Sequence, residues 1–177
     1  LKNGIQEGLS TRWYGSGKKK SETNYKNGGK DGLTTTWYEY GEKREEVFYK
    51  NGKKDGFERK WYEFGKKKFF GHYKNGKVEG LTTAWYETGE KLGEVHFKNG
   101  KEEGLATSWY ETGEKQLEIH YKNGKQEGLD KEWYKSGRKK SLKHFKDGIE
   151  NGVRKEWDKD GKLTFQGNFV DGVEEIK

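Results

Sequence analysis

The sequence predicts an all-β fold of tandem β-hairpins, and two observations carry that expectation. A period of 24 residues runs through the whole chain, and glycine turns fall at fixed points within it. Trp13, Trp37, Trp61, Trp85, Trp109, Trp133 and Trp157 stand 24 residues apart without an insertion or deletion. One glycine lies five residues before each Trp, from Gly8 to Gly152, and another four residues after it, from Gly17 to Gly161. A third ladder runs from Gly4 to Gly172, so glycine here is turn punctuation and not flexible linker. The chain reads as one domain, 1–177, with units at about 8–31, 32–55, 56–79, 80–103, 104–127, 128–151 and 152–175.

Residues 32–55 illustrate one unit. Leu33 to Tyr38 is rich in Thr and aromatic residues, which favour a pleated strand. Gly41 permits φ > 0 and closes a short turn, and Glu42 to Lys50 returns as the second strand. Asn51-Gly52 marks the next turn, and Gly56 opens the following unit. Alternation puts Leu33, Thr35 and Trp37 on one face, with Thr34, Thr36 and Tyr38 on the other. A three-residue turn with a glycine bulge places Val47 and Tyr49 on the Trp37 face, and a two-residue turn separates them. The three-residue turn is the expectation, because it gathers Leu, Trp, Val and Tyr on one side. The result is an elongated, twisted, largely single-layer antiparallel sheet.

Composition limits the alternatives. Only 28% of the chain is hydrophobic, against about 45–50% in ordinary globular domains, which excludes a large central core. The charged fraction of 38% would suit a disordered chain, but 15% aromatic residues at fixed positions do not. A repeat that buries its face against its neighbours needs few apolar groups, provided they are in register. The net charge of +7 is spread among interleaved signs, so Lys18 to Lys20, Lys66 to Lys68 and Arg138 to Lys140 read as solvated faces, and nucleic acid is not expected as a partner. Cysteine is absent, and no apolar run approaches the roughly 18 residues of a membrane helix. Leu1 falls inside the turn motif of a preceding unit, so a start methionine, and any signal peptide, is expected upstream or trimmed away. At the far end Asp158 replaces the usual Tyr and Ile176 the usual glycine, a decay that reads as a capping unit.

The pattern G-L-x-x-x-W-Y-x-x-G followed by Y-K-N-G-K-x-E-G resembles the bacterial variant of MORN repeats, as found in YwqK-family antitoxins. The resemblance covers about residues 2–172. It implies a series of β-hairpins and a non-enzymatic binding scaffold, most specifically a protein–protein interaction module of the antitoxin or immunity type. The partner it implies is a protein, such as a toxin encoded nearby. The alternative is a cell-surface or membrane-associated scaffold binding anionic lipid or a host partner, and the place of action is the bacterial cytoplasm or outside it.

Catalytic chemistry is not expected. Adjacent carboxylates such as Glu45 and Glu46, or Glu102 and Glu103, point to opposite faces of a strand and cannot share acid–base work. His72, His96, His120 and His144 occupy one repeat position, with Phe48 at the same place one unit earlier. Equivalent strands put neighbouring imidazoles at roughly 9.5 Å, too far to share a zinc ion, so neither metal nor cofactor is expected. The column reads as an aromatic stripe, or as a titrating recognition surface. The column Tyr14, Tyr38, Tyr62, Tyr86, Tyr110 and Tyr134 lies opposite the Trp column. It reads either as an exposed recognition stripe or as cross-strand packing. The candidate partner-binding residues are Tyr38, Tyr40, Phe48, Tyr62, Phe64, Phe70, His72, Tyr86, His96, Tyr110, His120, Tyr134 and His144. The seven tryptophans are architecture, and the Phe-rich stretch at 40–72, with Phe57 and Phe69, is the first place to look for a partner.

Overall fold

The computed structural model of the chain describes residues 4–176. Among these are eighteen β-strands, one 3-10 turn at Glu63–Gly65 and no α-helix. The chain divides into two compact halves, Leu1–Gly89 and Glu90–Lys177. The first half holds β1 (Gly8–Trp13), β2 (Lys19–Lys26), β3 (Gly29–Trp37), β4 (Lys43–Lys50), β5 (Lys53–Trp61), β6 (Lys67–Lys74) and β7 (Lys77–Trp85). Each of these strands pairs antiparallel with its neighbour in the chain, giving an open meander. The second half holds β8 (Lys91–Lys98), β9 (Lys101–Glu102), β10 (Gly104–Trp109), β11 (Lys115–Lys122), β12 (Lys125–Gln126) and β13 (Gly128–Trp133). It continues with β14 (Lys139–Lys146), β15 (Ile149–Glu150), β16 (Gly152–Trp157), β17 (Leu163–Val170) and β18 (Val173–Glu174). Here the leading strand of each repeat is broken into two pieces, as in β9 and β10, but the antiparallel meander is the same.

Two turn chemistries build every repeat. Asn27-Gly28 and its equivalents at 51, 75, 99, 123, 147 and 171 put two successive residues at positive φ, with Asp in place of Asn at the last two. Positive φ at both central residues defines a type I′ turn, whose twist matches that of the strands it joins. The other turn has three residues. Tyr38 N–H donates to the Glu42 carbonyl at 2.9 Å, Gly41 N–H donates to the Tyr38 carbonyl at 3.0 Å, and Gly41 sits at φ 110°. This is the expected glycine-bulge turn.

Its expected consequence fails, because a second bulge follows it. Trp37 lies opposite Lys43, but Thr36 lies opposite Glu45, so Arg44 has no opposite number. The same slip occurs at Lys20, Lys68, Gln116, Lys140 and Thr164. One extra residue reverses the parity set by the turn. Thr34 therefore faces Val47 and Leu33 faces Phe48. Val47 and Tyr49 consequently share the Tyr38 face, while Phe48 and the four histidines join Trp on the other face. The histidine and tyrosine columns lie on opposite sides of the sheet, contrary to the arrangement expected from alternation alone.

Burial is shallow and mostly polar. Among the described residues, Val47 and Phe169 are the only large apolar side chains taken almost wholly out of water. Thr23, Thr34, Thr35, Thr82, Thr83, Thr107, Glu46, Glu58, Glu118 and Asp130 are buried with them. In a single layer the covered positions are the middle rungs, flanked by longer side chains on both neighbouring strands. Thr23, Thr34, Val47 and Glu58 are successive cross-strand partners along one such rung. Lys and Glu stems serve as the cover, as their aliphatic portions allow.

Glycine at the head of the repeat answers two demands at once at Gly56 and Gly152, where positive φ coincides with a close neighbouring side chain. Gly56 is at φ 128°, and a Cβ there would meet the Cβ of Phe48 at 3.0 Å. Gly41 is at φ 110° with nothing within 4 Å. Gly41→Ala is therefore expected to lose about 1–2 kcal/mol, the left-handed backbone cost alone. Gly56→Ala is expected to lose distinctly more, as a lower urea midpoint in the same buffer. Equal midpoints for the two variants would remove the close-approach explanation.

Candidate binding surface on the tryptophan face

The tyrosine face is occupied by internal bonds. Within each half, column hydroxyls donate to the backbone carbonyl of the tryptophan in the next repeat: Tyr14 to Trp37 at 2.7 Å, and Tyr38 to Trp61, Tyr62 to Trp85, Tyr110 to Trp133 and Tyr134 to Trp157 at 2.8 Å. That carbonyl is open because the β2–β3 ladder ends at Ser21 opposite Thr36, one residue short of Trp37. The bulged cation of the same hairpin stands over the phenol ring. Lys20 lies 5.4 Å from the Tyr14 ring centre, Arg44 5.8 Å from Tyr38, Lys68 4.9 Å from Tyr62 and Lys140 5.9 Å from Tyr134. Burial raises the Tyr38 hydroxyl pKa above its ordinary value, so it remains a donor. At Asp158, which stands in the column's place, the carboxylate instead accepts the N–H groups of Asp160 and Lys162 within its own turn.

The turn tips are stapled to the preceding repeat. The Asn51 N–H donates to Asp31 Oδ2 at 3.0 Å and the Gly52 N–H to the Lys30 carbonyl at 2.8 Å. Glu7, Asp55, Glu103 and Glu127 accept in the same way from Asn27, Asn75, Asn123 and Asp147. These carboxylates serve as architecture.

Two buried acids at one repeat position behave oppositely. Burial alone would push the Glu58 carboxyl up. Hydrogen bonds from Lys54 and Tyr73, with the charges of Lys54 and Lys60, outweigh it and hold the pKa at about 2. Asp130, 72 residues on, is pushed up by burial to about 6, against hydrogen bonds from the His120 backbone and Gln126 and the charge of Lys143. Asp130 accepts only from Gln126 at 2.8 Å and, at 3.4 Å, from the His120 N–H, whereas Glu58 binds the Lys54 ammonium at 2.7 Å. Among the described residues no three His, Cys, Asp or Glu side chains gather as a metal site.

On the tryptophan face most hairpins repeat one constellation. The first Lys of the returning strand pairs with a Glu three residues on: Lys19–Glu22, Lys43–Glu46 and Lys115–Glu118 at 2.5 Å, and Lys91–Glu94 at 2.8 Å. The same Lys leans over the next indole, as Lys19 does over Trp37 at 5.8 Å and Lys91 over Trp109 at 5.4 Å. The third hairpin departs from this. Phe70 stands where the Glu belongs, so Lys67 retains its place over Trp85 at 6.0 Å without that carboxylate. Arg59 replaces the usual Thr or Lys and lies 4.3 Å from the Phe57 ring centre. Phe48 meets Phe57 at 6.4 Å, and Phe70 meets His72 edge-on at 4.9 Å. Beside this cluster lies a groove of about 430 Å³, lined by Arg59, Lys60, Trp61, Lys67, Phe69, Phe70 and Trp85. Its lining contains no carboxylate. A groove in the second half, by contrast, is lined by Glu132, Glu156 and Asp158 among others.

The candidate residues thus fall into separate groups. Phe48, Phe70 and His72 come together on the tryptophan face. Tyr40 and Phe64 lie at the same position of successive hairpin turns and are 73% and 81% exposed. Phe64 holds φ 68°, a left-handed conformation unusual for a bulky side chain, in the turn that joins Trp61 to Lys67. His96, His120 and His144 are exposed on the tryptophan face of the second half, where His120 Nδ1 must donate to the Leu129 carbonyl at 3.0 Å. Tyr38, Tyr62, Tyr110 and Tyr134 are half-buried rivets, and Tyr86 is half-buried in the same column. Arg59 and Lys67, and the part played by Trp61 and Trp85 as groove walls, were missed in the sequence. Reading the repeats column by column shows the signal, a Phe at 70 where 22, 46, 94 and 118 carry Glu and where 142 and 166 carry Leu and Gln.

An open antiparallel hairpin repeat, with its polar residues tied between neighbours and an aromatic groove on one face, defines a tandem-repeat scaffold. Residues 6–27, 30–51, 78–99, 102–123 and 150–171, more than half of the chain, match the family described as MORN repeat variant. The chain belongs to that family. No curated protein matches it. The repeat at 56–79, which carries Phe57, Arg59, Phe69 and Phe70, lies almost wholly between the matched stretches.

Two predictions follow from these contacts. Tyr38→Phe deletes one rivet and is expected to cost about 1 kcal/mol in denaturant unfolding. Tyr40→Phe, on an exposed turn, is expected to cost nothing measurable. The two acids give opposite pH signatures. The stability that Glu58 contributes is present above its ordinary value of 4.5 and is lost as pH falls towards about 2. For Asp130 the favourable contribution is complete below its ordinary value of 3.8 and is lost as pH rises through about 6. In thermal scans, Asp130→Asn should flatten the profile between those two values, and Glu58→Gln should flatten it below 4.5. Unchanged profiles would refute the assignment.

Proposed function

We propose that the chain is a non-enzymatic binding scaffold, a protein–protein interaction module of the antitoxin or immunity type that neutralises a partner by covering it. The observation that carries this reading is the aromatic and cationic surface formed by Phe48, Phe57, Arg59, Phe70, His72 and the groove between Trp61 and Trp85. Aromatic residues and Arg on a rigid support are the side chains that anchor protein interfaces. Elsewhere the conspicuous polar groups are engaged within the repeat: column tyrosines on carbonyls, turn acids on N–H groups, and Lys on Glu. What is left for a partner is where the repeat breaks its own pattern. Membership of the MORN repeat variant family supports the scaffold reading.

The test is co-expression with the products of the adjacent genes. One of them is expected to be toxic alone, to be tolerated when the chain is present, and to co-purify with it in fixed stoichiometry. If no adjacent product binds or is neutralised, the antitoxin reading is wrong.

A further inference from the structure

The partner's contact segment can be described from the chemistry of the groove. Trp61 and Trp85 present two indoles one repeat apart, and Phe70 adds a third ring on the same face. Lys67 stands over Trp85 without the carboxylate that its equivalents Lys19, Lys43, Lys91 and Lys115 each hold. Arg59 is half-exposed, with Glu46 as its nearest anion at 3.9 Å. The site is therefore apolar at its walls and positive at its rim, and at about 430 Å³ it lies in the ~300–1,000 Å³ range of sites that enclose a small group. Phe64, strained and exposed on the turn between Trp61 and Lys67, extends the apolar surface at one end.

We infer that this groove docks an acidic segment of a partner protein, with a carboxylate taken by Lys67 and Arg59 and an adjoining aromatic or aliphatic side chain laid against Trp61, Phe70 and Trp85. Charge complementarity selects the occupant, since a carboxylate restores the pairing that Phe70 has removed. A nucleic acid strand fits less well. It needs a continuous cationic track for its phosphates, whereas Lys43, Lys54 and Lys60 are already paired with Glu46, Glu58 and Glu45 and Lys68 stands over the Tyr62 ring.

The inference rests on the protein-binding reading, and its test is separable from it. The decisive variant is Phe70→Glu, which writes the ordinary residue of the repeat back in and supplies Lys67 with its missing carboxylate. Leu142→Glu makes the same change at the equivalent position of the sixth repeat and serves as control, and Lys67→Glu reverses the rim charge should Phe70→Glu disturb folding. The probe is a short fluorescent peptide of Glu, Asp and Phe, measured by anisotropy against a Lys and Phe peptide, oligodeoxythymidylate, and phosphatidylserine–phosphatidylcholine vesicles. The acidic peptide should bind the parent chain, weaken by about tenfold or more in Phe70→Glu and in Lys67→Glu, and be unchanged in Leu142→Glu. No binding, equal binding by the groove variants, an equal loss in Leu142→Glu, or a preference for the oligonucleotide or the vesicles would overturn the inference. An adjacent gene product bound equally by parent and Phe70→Glu would remove the groove and leave the binding module standing.

Discussion

The structure depends on a hydrogen bond that spans one period: a tyrosine hydroxyl donated to the backbone carbonyl of the tryptophan 23 residues further on. A single sheet with two almost wholly buried large apolar side chains among its described residues has no central core to enforce order. Within each half, cohesion has to come from repeats gripping their neighbours, which is the arrangement expected of solenoid-like proteins. The rivet sets strict terms for the sequence. Inserting one residue between Tyr38 and Trp61 would move the carbonyl out of reach, and would also shift the turn amide of Asn51 away from Asp31. An uninterrupted 24-residue period follows from bonds that count residues.

The second constraint is how buried polar groups are met. Glu58 and Asp130 occupy the same place in the repeat, yet one is held strongly ionised and the other is pushed towards neutrality. Position in the fold does not decide this. The partners do, since Lys54 and Lys60 flank Glu58 while Asp130 has an amide, a backbone N–H and a more distant Lys143. Variation at a rung of the ladder is tolerated where neighbours on the adjoining strands change with it. The repeat is thus uniform in its backbone bonds and permissive in its side chains.

Much of the fold was legible in the sequence, because its determinants are local. Asn-Gly pairs specify type I′ turns, the second glycine ladder specifies the three-residue turns, and Thr-rich alternation specifies strands. The pairing of faces was not legible. It turns on the unpaired residue at Arg44 and its equivalents, and a bulge at a Lys, Arg, Gln or Thr has no compositional mark. The same gap hid the role of the tyrosines. Alternation shows that Tyr38 lies opposite Trp37, but the carbonyl it reaches lies one residue beyond the end of the ladder between the two hairpins. Of the candidate residues, those that depart from a column, such as Phe70 and Phe64, were visible by comparison between repeats. Arg59 and Lys67 were not, since a cation in a chain with 37 Lys and Arg draws no attention until its missing partner is known.

That missing partner is also why a function can be localised on a periodic surface. Four hairpins pair Lys with Glu in the same geometry, and Phe70 and Leu142 take the place of that Glu in the third and sixth; the third also sets Lys67 over an indole with Arg59 on the adjoining strand. Replacing one Glu by Phe does two things at once: it frees a cation beside an indole and it adds apolar area next to it. Arg in place of Thr at residue 59 adds a second cation, whose planar group lies against Phe57 with Glu46 no closer than 3.9 Å. These substitutions are on adjacent strands, β5 and β6, and face the same side, so they act on one spot. The rivet of Tyr62 on Trp85 and the staple of Asn75 on Asp55 around them repeat those of neighbouring hairpins. The rigid repeat can therefore carry a distinctive surface patch without altering the bonds that hold it together.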